Sequence, residues 1–246
     1  IMNFIHRNLP YIAAASLALV IGLAATAVFG QGQQAKYQRE DGFCTNINGS
    51  SDDRTLASDL REMTLVAGSG IRIDAGKNGG VAVRGEDRGD VLVRACVQAW
   101  GRSAADAKSA VSATRINTSG TIKAESVDEN DWSVSFQVLV PRSTNVEVTA
   151  KNGGISISAI DGTTELRTVN GGLNLENLAG SVKASTTNGG VRVTLSGSTW
   201  KGPGLDVQTT NGGVNLVMPA DYAANIETGT VNGGVKSEIP ALAIST

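Results

Sequence analysis

Histidine is all but absent from this chain. His6 is its only imidazole, and it precedes an uncharged stretch, Leu9 to Phe29, rich in Ala, Leu, Ile and Val. If residues 1–30 are removed as an export signal, no histidine is left for general-base catalysis, a Ser-His pair or a zinc site, which excludes most familiar hydrolase mechanisms. Aromatics are few, at 4%. No basic patch stands out to invite nucleic acid: beyond residue 30 there are 20 basic and 23 acidic side chains. Cysteine is limited to Cys44 and Cys96. What is abundant is glycine, with 30 residues, the composition of turn-dense β structure with small side chains at its corners and a poor match to a helical bundle.

The N-terminal apolar stretch reads as a signal peptide, or as a membrane anchor if it is not cleaved. Four alanines before residue 20 and the small residues near Ala27 and Gly30 favour cleavage. Either way the chain is expected to be exported, to the periplasm or the cell surface. Cys44 lies too far from the apolar stretch for a lipoprotein anchor. In an exported chain two cysteines are most economically read as a disulfide closing a loop of about 50 residues, worth ~3–4 kcal/mol in the entropic account.

Five copies of Asn-Gly-Gly dominate the second half: Asn152-Gly153-Gly154, Asn170-Gly171-Gly172, Asn188-Gly189-Gly190, Asn211-Gly212-Gly213 and Asn232-Gly233-Gly234, spaced 18, 18, 23 and 21 residues apart. The first four are followed by alternating apolar residues: Ile155 and Ile157, Leu173 and Leu175, Val191 and Val193, Val214 and Leu216. That period marks a half-buried strand after each turn. A rung of this kind cannot bury its apolar face alone, so the repeat predicts a stack. Glycine after asparagine suits a corner with positive φ, and asparagines at equivalent corners could form a hydrogen-bonded ladder. Further glycine turns at Asp161-Gly162 and Ala179-Gly180 imply two or three short strands per rung. The longer spacing holds an insertion, Ser196-Gly-Ser-Thr-Trp200-Lys-Gly-Pro203-Gly, expected to bulge as an exposed loop.

Four segments follow: a signal or anchor at 1–30, a polar linker at 31–53, an N-terminal β-rich part at 54–142 and the repeat stack at 143–246. In the third, Met63 to Val66, Ile71 to Ile73, Val81 to Val83, Val91 to Val97 and Trp132 to Val140 read as strands, and Lys77-Asn78-Gly79-Gly80 is a sixth copy of the turn signal. Ser103 and Asp106 have capping-box spacing before an Ala-rich run, so a short helix over 103–113 is expected to cap the sheet.

The string Phe136-Gln-Val-Leu-Val-Pro141, then Asn145-Val-Glu-Val-Thr-Ala-Lys-Asn152-Gly-Gly-Ile-Ser-Ile, the repeated Thr-x-Asn-Gly-Gly and Val214-Asn-Leu-Val-Met-Pro219 resemble the bacterial DUF4097 family of β-strand-repeat proteins. Gly79-Gly-Val-Ala-Val-Arg-Gly and Asp90-Val-Leu-Val-Arg-Ala extend the resemblance over roughly residues 60–240. It implies an exported right-handed β-solenoid, an adhesin label resting mainly on architecture, and in some members a link to envelope-stress loci. It brings no catalytic residues. Members usually continue through further rungs to a Gly-rich finish, whereas this sequence ends Ile239-Pro-Ala-Leu-Ala-Ile-Ser-Thr246, leaving the capping of its last rung open and allowing end-to-end pairing with another copy.

The expected fold is therefore all-β, a right-handed parallel β-solenoid of 18–23-residue rungs with one capping helix. The Asn-Gly-Gly set is expected to build turns rather than bind metal, because a calcium β-roll carries an aspartate in each repeat and these turns do not. A carbohydrate-active β-helix needs only carboxylates or a basic residue in a cleft; Asp161 with Glu165, or Glu147 with Lys151, are the candidate pairs, and nothing in their spacing singles them out. Trp132 reads as core. Trp200, in the Gly/Pro loop, is the residue expected to be exposed and to stack on a sugar ring. The function expected is a non-enzymatic adhesion or interaction scaffold of the envelope, without cofactor, whose partner is an envelope protein or surface glycan. The alternatives are an envelope-stress accessory docking a membrane partner and a carbohydrate-binding or carbohydrate-active protein.

Overall fold

The computed structural model describes residues 14–17, 42–44, 50–51, 54–126 and 132–227. The linker expectation for 31–53 and the export-signal expectation for 1–30 fall largely outside these residues, as does the copy at Asn232. Within the apolar stretch, only Ala14–Leu17 is described, as a short backbone strand, β1, parallel to the strands Gly204–Asn211 and Asn225–Glu227.

Two nine-stranded sheets face each other across one apolar core. The chain runs β2 Ser50–Ser51, β3 Arg54–Val66, β4 Gly70–Asp74, β5 Val81–Glu86, β6 Asp90–Gly101, helix α1 Ala104–Ala113, β7 Thr114–Asn117, β8 Thr121–Ser126 and β9 Trp132–Pro141. The repeats then contribute β10 Asn145–Asn152 with β11 Ile155–Ser158, β12 Thr164–Asn170 with β13 Leu173–Glu176, β14 Ser181–Asn188 with β15 Val191–Thr194, β16 Gly204–Asn211 with β17 Val214–Val217, and β18 Asn225–Glu227. Each rung has two strands, one per sheet, and neighbouring rungs pair in parallel. The result is a β-solenoid-like stack.

The boundary expected at residue 143 does not divide this stack. β4 and β5 form a rung that pairs with β10 and β11 on one side and with β8 and β9 on the other. The sixth Asn-Gly-Gly copy, at Asn78, is the corner of that rung. Strand pairing between segments far apart in sequence is what places it there, and local periodicity carries no information about such pairing.

Register makes the core a set of aliphatic columns. Phe136, Val81, Ile155, Leu173, Val191 and Val214 are successive cross-strand partners, as are Ile122, Ile73, Val148, Leu166, Ala184 and Val207 in the other sheet. Nearly all are buried. At roughly 1.5–3 kcal/mol per buried large side chain, these columns are the main favourable term, and each exists only when its neighbours are stacked.

Beyond β9 the parallel pattern ends. β6 pairs antiparallel with β9, and β3 antiparallel with β6. There α1 closes the core: Ala107, Ala110 and Val111 are buried, and a Cβ on Gly101 would lie 2.3 Å from the Ala107 nitrogen. The helix sits where the sequence places it, with the Ser103 side chain accepting from the Asp106 N–H at 3.1 Å. Its last turn has no basic residue of its own. Arg61 of β3 supplies one, donating to the carbonyls of Thr114 and Val111, where a cation meets the negative end of the helix dipole. Cys44 and Cys96 are joined, so the turn holding buried Phe43 is tied to β6.

One core position departs from the apolar pattern. Thr164 lies between Val146 and Val182 in its column, and its hydroxyl is buried without a hydrogen-bond partner among the described residues. Thr164→Val, of the same shape, is expected to raise stability by about 1 kcal/mol, read as a higher urea midpoint at unchanged slope; a lower midpoint would show that the hydroxyl is satisfied.

Candidate functional site at the asparagine corner

The threonine, the asparagine and the first glycine of the Thr-x-Asn-Gly-Gly unit each have a separate task at the corner. The asparagines stack as one ladder: the Nδ2 of Asn152 donates to Asn78 Oδ1 at 3.1 Å, and those of Asn170, Asn188 and Asn211 each donate to the Oδ1 of the preceding asparagine at 2.8 Å. All bonds point the same way along the stack. The threonine two residues earlier turns inward. Thr168, Thr186 and Thr209 are buried and donate to the carbonyls of Gly153, Gly171 and Gly189, one rung back, at 2.8–2.9 Å.

The first glycine is required for a reason other than the one expected. Among the described copies only Gly79 has positive φ, at 149°; the other first glycines do not. Their constraint is close approach of backbones: a Cβ on Gly153 would lie 1.8 Å from the Gly79 oxygen, and one on Gly171, Gly189 or Gly212 would lie 2.1 Å from the oxygen of the preceding copy's first glycine. The second glycine is under less pressure, since a Cβ on Gly154 would sit 3.2 Å from Gly172 O. The opposite corner repeats the device through Gly162, Gly180 and Gly202, where added Cβ atoms would meet neighbouring backbone at about 2.5 Å.

Trp200 is not at the surface. It is 4% exposed, its Nε1 donates to Gly180 O at 3.0 Å, and Leu178, Leu195 and Leu205 surround it. The exposed sugar-stacking role expected of it does not fit this position. Register explains why: Lys201 O accepts from Gly180 N–H, so Trp200-Lys201-Gly202 occupies the corner that Leu178-Ala179-Gly180 and Ile160-Asp161-Gly162 occupy in earlier rungs. The insertion bulges before the tryptophan, around Gly197 at φ 77°. The repeated apolar-x-Gly tripeptide was the sequence signal for this. Trp132 is partly buried against the core, as expected.

The carboxylates do not converge. Glu147 and Glu165 are cross-strand neighbours on the outer face of their sheet, held by Arg72 at 2.9 Å and by Arg167 respectively. Asp161 lies in the opposite corner, where its N–H donates to Arg142 O. Lys151 is four residues along β10 from Glu147, roughly 13 Å at the rise of a strand. No cluster of three or more metal-ligating side chains occurs among the described residues. Lys123 is raised above the usual lysine range by its hydrogen bond and charge pairing with Glu125, and burial raises the Tyr222 hydroxyl; the two are isolated from each other in the sequence.

A stack of parallel two-strand rungs with glycine corners defines a class of β-repeat protein. The chain belongs to the Toastrack DUF4097 family, whose model matches residues 71–242. Solved structures similar to it include a proposed cell adhesion protein from Clostridium sporogenes, 8% identical, TM-score 0.43, covering 65% of this chain and 100% of its own. A proposed adhesin from Bacteroides fragilis is 10% identical, TM-score 0.29, covering 69% and 97%. A proposed lipid-binding protein from Parabacteroides distasonis is 9% identical, TM-score 0.22, covering 69% and 96%. Comparison with curated proteins finds no match.

Gly153→Ala is expected to cost more than about 4 kcal/mol or to prevent folding, whereas Gly154→Ala should cost about 1 kcal/mol or less. Equal urea midpoints for the two would remove backbone approach as the reason for the first glycine. Trp200→Ala should cost about 3–5 kcal/mol, the value for emptying a core site; a stability within about 0.5 kcal/mol of the parent, the value for a surface change, would return the ring to the surface.

Proposed function

We propose that the protein is an exported, non-enzymatic interaction scaffold of the cell envelope, with adhesion as its favoured form. The observation that carries this reading is the outer face of the sheet built from β4, β10, β12, β14 and β16. Successive rungs place Arg72, Glu147, Glu165, Lys183 and Asp206 in one row, and Asp74, Thr149, Arg167, Ser185 and Gln208 in the next. Strands about 4.8 Å apart thus present a long surface of mixed charge, hydroxyl and amide groups on a backbone locked at both corners. Such a face suits a broad, polar contact with another macromolecule. With Trp200 inside the core, recognition would rest on these rows.

The Cys44–Cys96 bond supports export, since disulfides persist in oxidising compartments. We read the coil as right-handed, with rungs of 18–23 residues following the register offsets between paired strands.

Protease treatment of intact and permeabilised cells tests this reading. Digestion on intact cells is the expected result and places the stack outside. Protection until the outer layers are opened would favour a periplasmic scaffold that docks a membrane partner. Recovery in the cytoplasmic fraction with both cysteines reduced would overturn export.

A further inference from the structure

The dipeptide that closes each corner is also the one most prone to rearrange. In Asn-Gly, the glycine nitrogen can lose its proton and attack the asparagine Cγ, because no Cβ stands in the way. A C–N bond forms, the side-chain nitrogen leaves as ammonia, and water opens the resulting succinimide to aspartate or isoaspartate. No oxidant or cofactor enters. Asn78, Asn152, Asn170 and Asn188 are all exposed, so exclusion of water does not protect them.

The stack does. The attacking nitrogen is engaged at each corner: Gly79, Gly153, Gly171 and Gly189 donate to the carbonyls of Asn152, Asn170, Asn188 and Asn211 at 3.0–3.3 Å. The carboxamide that must turn toward it is held in the ladder on both sides at Asn152, Asn170 and Asn188, and by the bond from Asn152 at Asn78. Attack requires both restraints to be released, which means separating one rung from the next. We propose that the corner asparagines are latent deamidation sites, silent while the rungs are stacked and modified when a rung opens.

The product breaks the ladder in one direction. An aspartate at position 170 has no N–H for Asn152 Oδ1 and sets oxygen against oxygen there, yet still accepts from Asn188. Isoaspartate also lengthens the backbone next to Gly171, where there is no room even for a methyl group. Opening of a corner is thereby recorded irreversibly.

The full-length protein, incubated at mildly alkaline pH with and without denaturing urea and mapped by peptide mass spectrometry, tests this. Deamidation at Asn152, Asn170 and Asn188 should be at least about ten-fold slower in the folded protein, the size of effect expected when reaction needs local opening. In Asn170→Asp, Asn152 should react faster than in the parent while Asn188 changes less. Equal rates in folded and urea-unfolded parent protein would overturn the proposal, and that comparison decides the matter even if the variant does not fold.

Discussion

At one corner of each described repeat rung a glycine backbone lies against the carbonyl of the glycine one rung away, at a separation that admits no side-chain carbon. The rest of the structure depends on that contact. It lets the glycine N–H reach the asparagine carbonyl of the next rung, brings the asparagine side chains to 2.8–3.1 Å, and allows the buried threonines to reach back to the glycine oxygens. A buried hydroxyl costs stability when it is unpaired, and the glycine carbonyls spare Thr168, Thr186 and Thr209 that cost. The aliphatic columns follow from the same register. A slip of one residue would turn each column toward solvent.

The two ends of the stack are handled differently. At one end the parallel pattern gives way to antiparallel β6 and β3, and a helix replaces the facing sheet, its last carbonyls met by Arg61. The disulfide fixes this end further: the link spans 52 residues, so its removal would release a large loop in the unfolded chain. At the other end, among the described residues, one sheet finishes at β17 and the other at β18, with β1 between β16 and β18.

Much of this was legible in the sequence because it is periodic. The Asn-Gly-Gly spacing, the alternation after each copy, the helix after Ser103 and the pairing of two lone cysteines are local or compositional signals, and each corresponds to an element found. What escaped depends on three dimensions. Asn-Gly suggests positive φ from known turns, whereas the demand here comes from a neighbouring rung whose distance no local pattern records. Trp200 looked exposed because it lies among Gly, Ser and Pro; only alignment with Leu178-Ala179-Gly180 shows that it refills a core position after the insertion. The rung at Asn78 could be recognised as a copy, but its place in the stack is set by pairings to residues more than seventy positions away. The outer rows of the candidate surface were visible as scattered charges, and only register assembles them.

The order of the rungs in space differs from their order in the chain, and this bears on synthesis. β5 and β6 are joined by a short connection, yet β9 lies between them, parallel to one and antiparallel to the other; β4 likewise waits for β8 and β10 on its two sides. A chain emerging from its N-terminus therefore presents an incomplete sheet with a vacant slot until the segment from Thr121 to Ser158 has been made. Pairings this distant in sequence are slow to form and leave strand edges open meanwhile. Nascent chains of this protein thus have a vulnerable interval that closes when β9 enters its slot, after which the later rungs can add in order on an edge already in register.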